Sequence, residues 1–234
     1  MKRLLKVRRS LAALVIIVGI TVSLLLHPDL QQTVISSTQF GAVASGDATT
    51  ALNELEVKGR SPKTGYDRSQ FGDGWDSKQG CDTRNIILHR DLTATAVNDQ
   101  CQVVSGILDD PYTSKTIAFK RGASSSSDVQ IDHVVALSDA WQKGAQQLSS
   151  TERQAMANDP LELLAVEGSA NQQKSDGDAA TWLPPNKAFR CQYVARQVAI
   201  KKKYRLWVTM AEKEAISTVL TACPGQTLPR DLPR

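Results

Sequence analysis

An acid stands directly before a histidine in Ile131-Asp132-His133-Val134-Val135, and an amide and a lysine follow in Ser169-Ala170-Asn171-Gln172-Gln173-Lys174. An imidazole titrates close to neutrality, so it can take a proton from water at pH 7. A carboxylate and an amide carbonyl are hard oxygen donors that suit Mg²⁺ or Mn²⁺ better than a structural zinc. Asp132 and Asn171 would hold one such ion beside His133 as general base, leaving positions for water and a phosphate. The chain has three histidines. His27 adjoins an apolar leader, and His89 has no spaced ligand set, so His89 reads as a structural or substrate-facing side chain.

These residues act together only if the chain brings them together. Residues 129–137 are β-branched and read as a strand, residues 161–166 as a second, and residues 168–174 as a helix carrying Asn171 and Lys174. Along a regular strand Asp132 and His133 point to opposite faces, so a bend at the strand end must deliver both to one site. Between the strands, residues 138–147 turn helical. Ser149 and Glu152 form a capping-box pair opening a helix to about Ala157, which Asn158-Asp159-Pro160 stops. Upstream, residues 66–80 read as loops, 83–92 and 101–108 as strands, Asp110-Pro111-Tyr112-Thr113 as a turn, and 115–119 as a short strand. Downstream come a rigid turn at 182–185, a helical stretch over 186–207, and a capping pair, Thr209 and Glu212, before a last helix ending near Cys223.

The strand, loop, strand, helix order with these residues resembles the HNH endonucleases of the ββα-metal superfamily. Asp132-His133-Val134-Val135 is similar to their first element, and Asn171 and Lys174 to their last; Glu162-Leu163 stands nine residues before Asn171, at the spacing of their middle Asn-Leu. Over roughly residues 61–223 the chain looks like exported bacterial members, in which Cys101 and Asp110-Pro111-Tyr112-Thr113 have counterparts. The resemblance implies an α+β fold: a ββα-metal nuclease core with added helices and short strands. It implies His133 as base, Asp132 and Asn171 as ligands of Mg²⁺ or Mn²⁺, and Lys174 near the phosphate. The departure is Glu162, where the family has an Asn that braces the histidine loop. Glu162 can accept but not donate as an amide does, and reads as a loop-bracing residue or one in the metal's outer sphere.

Composition limits the remaining readings. Hydrophobic residues make up 41% of the 234, enough for one globular domain, while aromatics at 5% leave the core to aliphatic packing. The net charge of +4 misleads, because Lys2, Arg3, Lys6, Arg8 and Arg9 cluster at the start; without them 23 basic residues face 24 acidic ones. Overall charge therefore does not argue for a nucleic-acid partner, and only a local patch can. One candidate patch contains Lys187, Arg190, Arg196, Lys201, Lys202, Lys203 and Arg205, interleaved with Tyr193, Tyr204 and Trp207, with Arg84, Lys120 and Arg121 extending it. The bland alternative is a solvated helix face with its aromatics in the core.

The basic start precedes the uncharged run 11–26, an export signal that is either cleaved or kept as an anchor. Residues 27–60 then read as a stalk with a short helix over 51–57, 61–223 as the domain, and 224–234 as a tail. The expected location is outside the cell, secreted or anchored to the outer face of the membrane, as a monomer. Four cysteines in an exported chain read as two disulfides; of three connectivities the local one, Cys81–Cys101 with Cys191–Cys223, is favoured. No Gly-x-Ser-x-Gly elbow supports a serine hydrolase. The two functional readings are a metal-dependent nuclease, DNA before RNA, and a non-catalytic nucleic-acid- or surface-binding module with the same fold.

Overall fold

A computed structural model describes residues 47–229 except Ser124. The leader, most of the expected stalk and the last residues lie outside the described residues. Among the described residues no helix is long and apolar enough to cross a membrane.

The chain runs α1 (Ala48–Glu54), a 3-10 turn (Arg68–Phe71), β1 (Ser77–Lys78), β2 (Cys81–Asp82), α2 (Thr83–Asp91), β3 (Thr93–Val97), β4 (Val103–Asp109), β5 (Thr116–Lys120), β6 (Val129–His133), α3 (Leu137–Gln142), a 3-10 turn (Ala145–Gln147), α4 (Ser150–Ala157), β7 (Leu163–Glu167), α5 (Gly168–Lys174), a 3-10 turn (Lys187–Phe189), α6 (Arg190–Lys203) and α7 (Met210–Thr221). It is a mixed α and β fold with two disulfides, Cys81–Cys101 and Cys191–Cys223, the pairing favoured from local loop closure. The first ties β2 to the loop before β4, and the second ties α6 to the end of α7.

Strands β3, β4 and β5 form an antiparallel meander, and β6 pairs antiparallel with β7, Asp132 opposite Leu164 and His133 opposite Leu163. The β6–β7 pair lies between two cores. Val129, Ile131, Leu163 and Ala165 pack with Ile87, Leu88, Val103, Leu108 and Phe119. Leu164 and Val166 pack the other way, with α1, α6 and α7 through Leu52, Val194, Val198 and Ile216. Alternation along β6 thus sends Asp132 toward the helical core and His133 toward the meander side.

Several expectations hold. Ser149 and Glu152 form a reciprocal capping box on α4, Thr209 caps α7, and β6, β7 and α5 follow one another in the expected order. Residues 83–92, read as a strand, are helical instead. Asp82 accepts from the Asn85 N–H at 2.7 Å and caps the helix, and Ile87 and Leu88 are fully buried between the meander and β6–β7. Capping and burial outweigh the β preference of the two isoleucines. The strand β3 and the small β1–β2 hairpin were not anticipated.

The stalk is shorter than expected. Asp47 caps α1, whose Ala48, Ala51 and Leu52 are buried, and Val57 bridges Val208. The expected tail also begins later, since Thr227 bridges Asp47 and Leu228 is 3% exposed. A short helix was expected at 51–57; it runs over Ala48–Glu54 instead, and small apolar residues at helical spacing dock it into the core, which the polar composition of the segment concealed.

A buried charge network ties these helices together. The Lys143 ammonium contacts Asp139 at 2.8 Å, Asp178 at 2.7 Å and Glu212 at 2.6 Å. Arg60 reaches Asp139 and Asp178, and Lys201 reaches Glu212 at 3.0 Å. Three cations meet three carboxylates, so the buried charges compensate each other. Burial works against the charged form of Lys201, but Glu212 and Asp139 outweigh it and raise its pKa.

Candidate active site

Strand β6 ends at His133, and the chain turns through Val134–Ala136 into α3. Glu162 holds that turn: its backbone carbonyl accepts from Val134 N–H at 2.9 Å, and its carboxylate accepts from Val135 N–H at 3.2 and 3.3 Å. The side chain is fully buried, and burial pushes its carboxyl well above the usual range against the pull of the Val135 N–H.

Helix α5 follows β7 without a loop because Gly168 allows a close approach. A Cβ there would lie 2.1 Å from the Ser127 carbonyl oxygen. The next two turns carry Asn171 and Lys174 back along β6. Asp132, His133 and Asn171 line one cavity of about 420 Å³, with Arg68, Arg84, Gln130 and Asp176.

His133 is 7% exposed, and its ring stacks on Trp75, centroids 5.7 Å apart and planes within 8°. Its Nε2 lies 3.0 Å from the Ala157 carbonyl oxygen. A carbonyl only accepts, so Nε2 carries the proton and Nδ1 is left as the acceptor of the neutral ring. Burial, then the charge of Arg68, push the imidazole pKa down to about 3, so His133 is neutral at pH 7.

Asp132 is held on both sides. Tyr112 donates its hydroxyl to Oδ2 at 2.5 Å, and Lys174 donates to Oδ1 at 2.9 Å. Burial raises the Asp132 carboxyl above its ordinary value, opposed by Lys174 and the Tyr112 hydroxyl. Tyr112 is itself positioned by Asp110, which accepts from Thr113 N–H and hydroxyl and from Glu167 N–H at 2.9 Å, joining the turn to the end of β7. Sequence reasoning saw Asp110-Pro111-Tyr112-Thr113 as a turn and missed Tyr112 as the partner of Asp132. A phenol in a turn carries no sequence signal for that role.

Lys174 differs from its expected place near a phosphate. It is 2% exposed and bonded to Asp132 and to the His133 carbonyl at 2.8 Å, so its ammonium is spent inside the fold. Asn171 donates Nδ2 to Gln130 Oε1 at 2.9 Å, which turns its carbonyl oxygen the other way. Among the described residues no group of three or more His, Cys, Asp or Glu could hold a metal. Asp132 and Asn171 would supply two oxygens only. A carboxylate with two hydrogen bonds still has lone pairs, so the donor set fits a hard ion that keeps most of its water.

The basic segment is not one open face. Lys201 is buried in the charge network, Lys202 pairs with Glu54, and Lys203 pairs with Asp159 at 2.7 Å. Arg190 donates to Pro184 O, Arg196 donates to Leu161 O, and Arg205 pairs with Glu152. Tyr193 is fully buried, and Trp207 is 5% exposed. Lys187 is exposed. Arg84 lines the cavity but donates to Ser126 O and Val129 O, and Arg121 donates to Val103 O and Asn85. His89 meets Thr95 on the far side of α2.

A family model described as GmrSD restriction endonucleases, C-terminal domain, matches residues 82–219, well over half of the chain. The chain belongs to this family. Tyr112, Asp132, His133, Glu162, Asn171 and Lys174 all lie inside the part that matches the GmrSD C-terminal domain. A relative described as an uncharacterized secreted protein of Arthroderma benhamiae is 37% identical over 183 residues, covering 77% of this chain and 86% of the relative. That relative is fungal, so the likeness is not confined to bacterial proteins. No solved structure matches.

Proposed function

We propose that this chain is an exported, metal-dependent HNH endonuclease with a ββα-metal core, hydrolysing phosphodiester bonds of nucleic acid, DNA before RNA. The observation that carries the reading is the bond from His133 Nε2 to the Ala157 carbonyl, which leaves Nδ1 as the only basic ring nitrogen of a residue that lines one cavity with Asp132 and Asn171. His133 takes a proton from water, and the hydroxide attacks phosphorus as the bond to the leaving sugar oxygen breaks. Asp132 and Asn171 would hold Mg²⁺ or Mn²⁺, which when bound supplies positive charge against the phosphate and leaving oxygens. Tyr112 and Lys174 fix the Asp132 carboxylate, and Glu162 fixes the turn that carries the ring. The relative named as secreted and the basic, apolar start of the chain support export, with or without a retained membrane anchor.

One observation favours the second reading, a non-catalytic binding module: both oxygens of Asp132 are already engaged. Plasmid incubated with the full chain in Mg²⁺, Mn²⁺ or EDTA, beside His133→Ala, separates the two. The nuclease reading expects nicking that EDTA and His133→Ala both abolish. Salt-sensitive DNA binding without cleavage is the result of the module.

A further inference from the structure

Two cavities meet at His133. One is the cavity of Asp132 and Asn171. The other, about 400 Å³, is lined by Ser69, Phe71, Gly72, Asp73, Gly74 and Trp75 on one side and by Ala157 on the other. Only Arg68, His133 and Leu137 line both. Among the described residues, Arg68 is thus the one cation that lines both cavities. It lies before residue 82, outside the part of the chain that matches the GmrSD C-terminal domain.

The cations that could compete for this role are otherwise engaged. Lys174 is bound to Asp132 and the His133 carbonyl, and Arg84 to two backbone carbonyls. Arg68 is exposed, and among the described residues its guanidinium makes no ion pair or hydrogen bond. The cavities also hold Asp73, Asp132 and Asp176, so a phosphate entering there needs a cation of opposite sign close to the base.

The segment that presents Arg68 is rigidly held. Asp67 caps the 3-10 turn by accepting from Ser69 N–H at 2.8 Å. Arg153 of α4 donates to Gln70 O at 2.7 Å, and Gln154 donates to Asp76 at 2.7 Å. Phe71 is buried edge-on to Tyr66 and Trp141. Gly72 has φ +99°, and a Cβ there would meet Gln154 at 3.0 Å, so the turn closes tightly onto α4.

We propose that Arg68 is the phosphate-binding residue of the site: its guanidinium takes the nonbridging oxygens of the phosphodiester that His133 addresses, and the Arg68–Trp75 loop forms the subsite for the adjoining nucleotide. A guanidinium fork matches two phosphate oxygens, and a lysine ammonium does not. The proposal rests on the nuclease reading and adds to it a second wall of the site, built from residues that precede the span matched by the family model.

The test measures binding and cleavage separately, on the full chain. A fluorescein-labelled DNA duplex is titrated in EDTA across a KCl series with wild type, Arg68→Gln, Arg68→Lys and, as control, Lys213→Ala; plasmid cleavage in Mg²⁺ is measured on the same proteins. Arg68→Gln is expected to weaken binding about tenfold and to reduce the salt slope by about one. Arg68→Lys should keep the slope but still cleave more slowly than wild type, because charge is retained and the fork is lost. Lys213→Ala should match wild type. If wild type cleaves and Arg68→Gln matches it in affinity, slope and rate, Arg68 has no such role and the nuclease reading stands. If wild type neither binds nor cleaves, both fall. Unfolding midpoints equal to wild type exclude misfolding as the cause of a loss, and Arg68→Lys, which keeps the charge, decides the matter should Arg68→Gln fail to fold.

Discussion

The ammonium of Lys174 lies 2.9 Å from Asp132 Oδ1 and 2.8 Å from the carbonyl oxygen of His133, binding the last turn of α5 to the last two residues of β6. One side chain therefore sets the register between the helix that carries Asn171 and the strand that carries Asp132 and His133. Both partners are buried, so neither can lose the other to water without cost.

Lys174→Met leaves a buried carboxylate without its cation. It is expected to destabilise the fold by about 3–5 kcal/mol. The double variant Lys174→Met with Asp132→Asn should recover much of that loss, because no unpaired charge remains. Urea unfolding of the two singles and the double measures the coupling; additive losses would mean that the ion pair contributes nothing to stability.

His133→Ala should retain the fold and lose about 10²–10⁴-fold in cleavage rate. Its Nε2–H meets one carbonyl, and its other face lies on Trp75, so the structural loss is one hydrogen bond and one ring stack. Plasmid nicking rates with circular dichroism on the same samples check both halves of the expectation.

Gly168→Ala forces a methyl onto the Ser127 carbonyl, 2.1 Å away, where no flexible side chain can yield. The junction of β7 and α5 must shift. A destabilisation of about 1–3 kcal/mol is expected from overpacking, with cleavage falling further than stability because Asn171 moves with the helix. Thermal unfolding and nicking rates of the variant check this.

The capping box of α4 fixes a dependence on pH. Glu152 is held at about 2 by the Ser149 N–H and hydroxyl and by Arg205. Its folded value lies below its unfolded one, so its contribution is complete above the ordinary carboxylate value and is lost as pH falls through about 2. The stability difference between wild type and Glu152→Gln should therefore be largest at neutral pH and shrink as the pH is lowered from 4.5. A difference in urea midpoint that stays constant down to pH 2.5 would contradict the assignment.

Much of the site was legible because an Asp-His pair, Asn171 and Lys174 stand at positions that resemble the HNH pattern. Asp132 and His133 end β6, Glu162 precedes β7 and Asn171 lies on α5; the structure puts Asp132, His133 and Asn171 on one cavity and Glu162 behind the turn that follows β6. The α4 capping box was readable as a pattern four residues wide. What could not be read depends on contacts distant in sequence. Thr83–Asp91 is a helix because its buried face meets two sheets. Tyr112 meets Asp132 because Asp110 ties its turn to Glu167. The basic residues of α6 looked like a surface for phosphates, but their partners Glu54, Asp139, Asp159 and Glu212 come from four other stretches of chain. Arg68 and Trp75 lay in a glycine-rich segment with no periodicity, so nothing local marked them.

The first helix has a practical meaning for any shortened form of this protein. A cut at Ser61, where the motif resemblance starts, would strip Ala48, Ala51, Leu52 and Leu55 off the aliphatic faces of α6 and α7 and would remove Arg60 from two carboxylates that are almost wholly shielded from water. Such a fragment would keep every residue of the GmrSD match and still present a sticky, acid-rich wound. Trimming past Asp47 therefore lays open apolar surface and unpaired carboxylates that α1 and Arg60 otherwise cover.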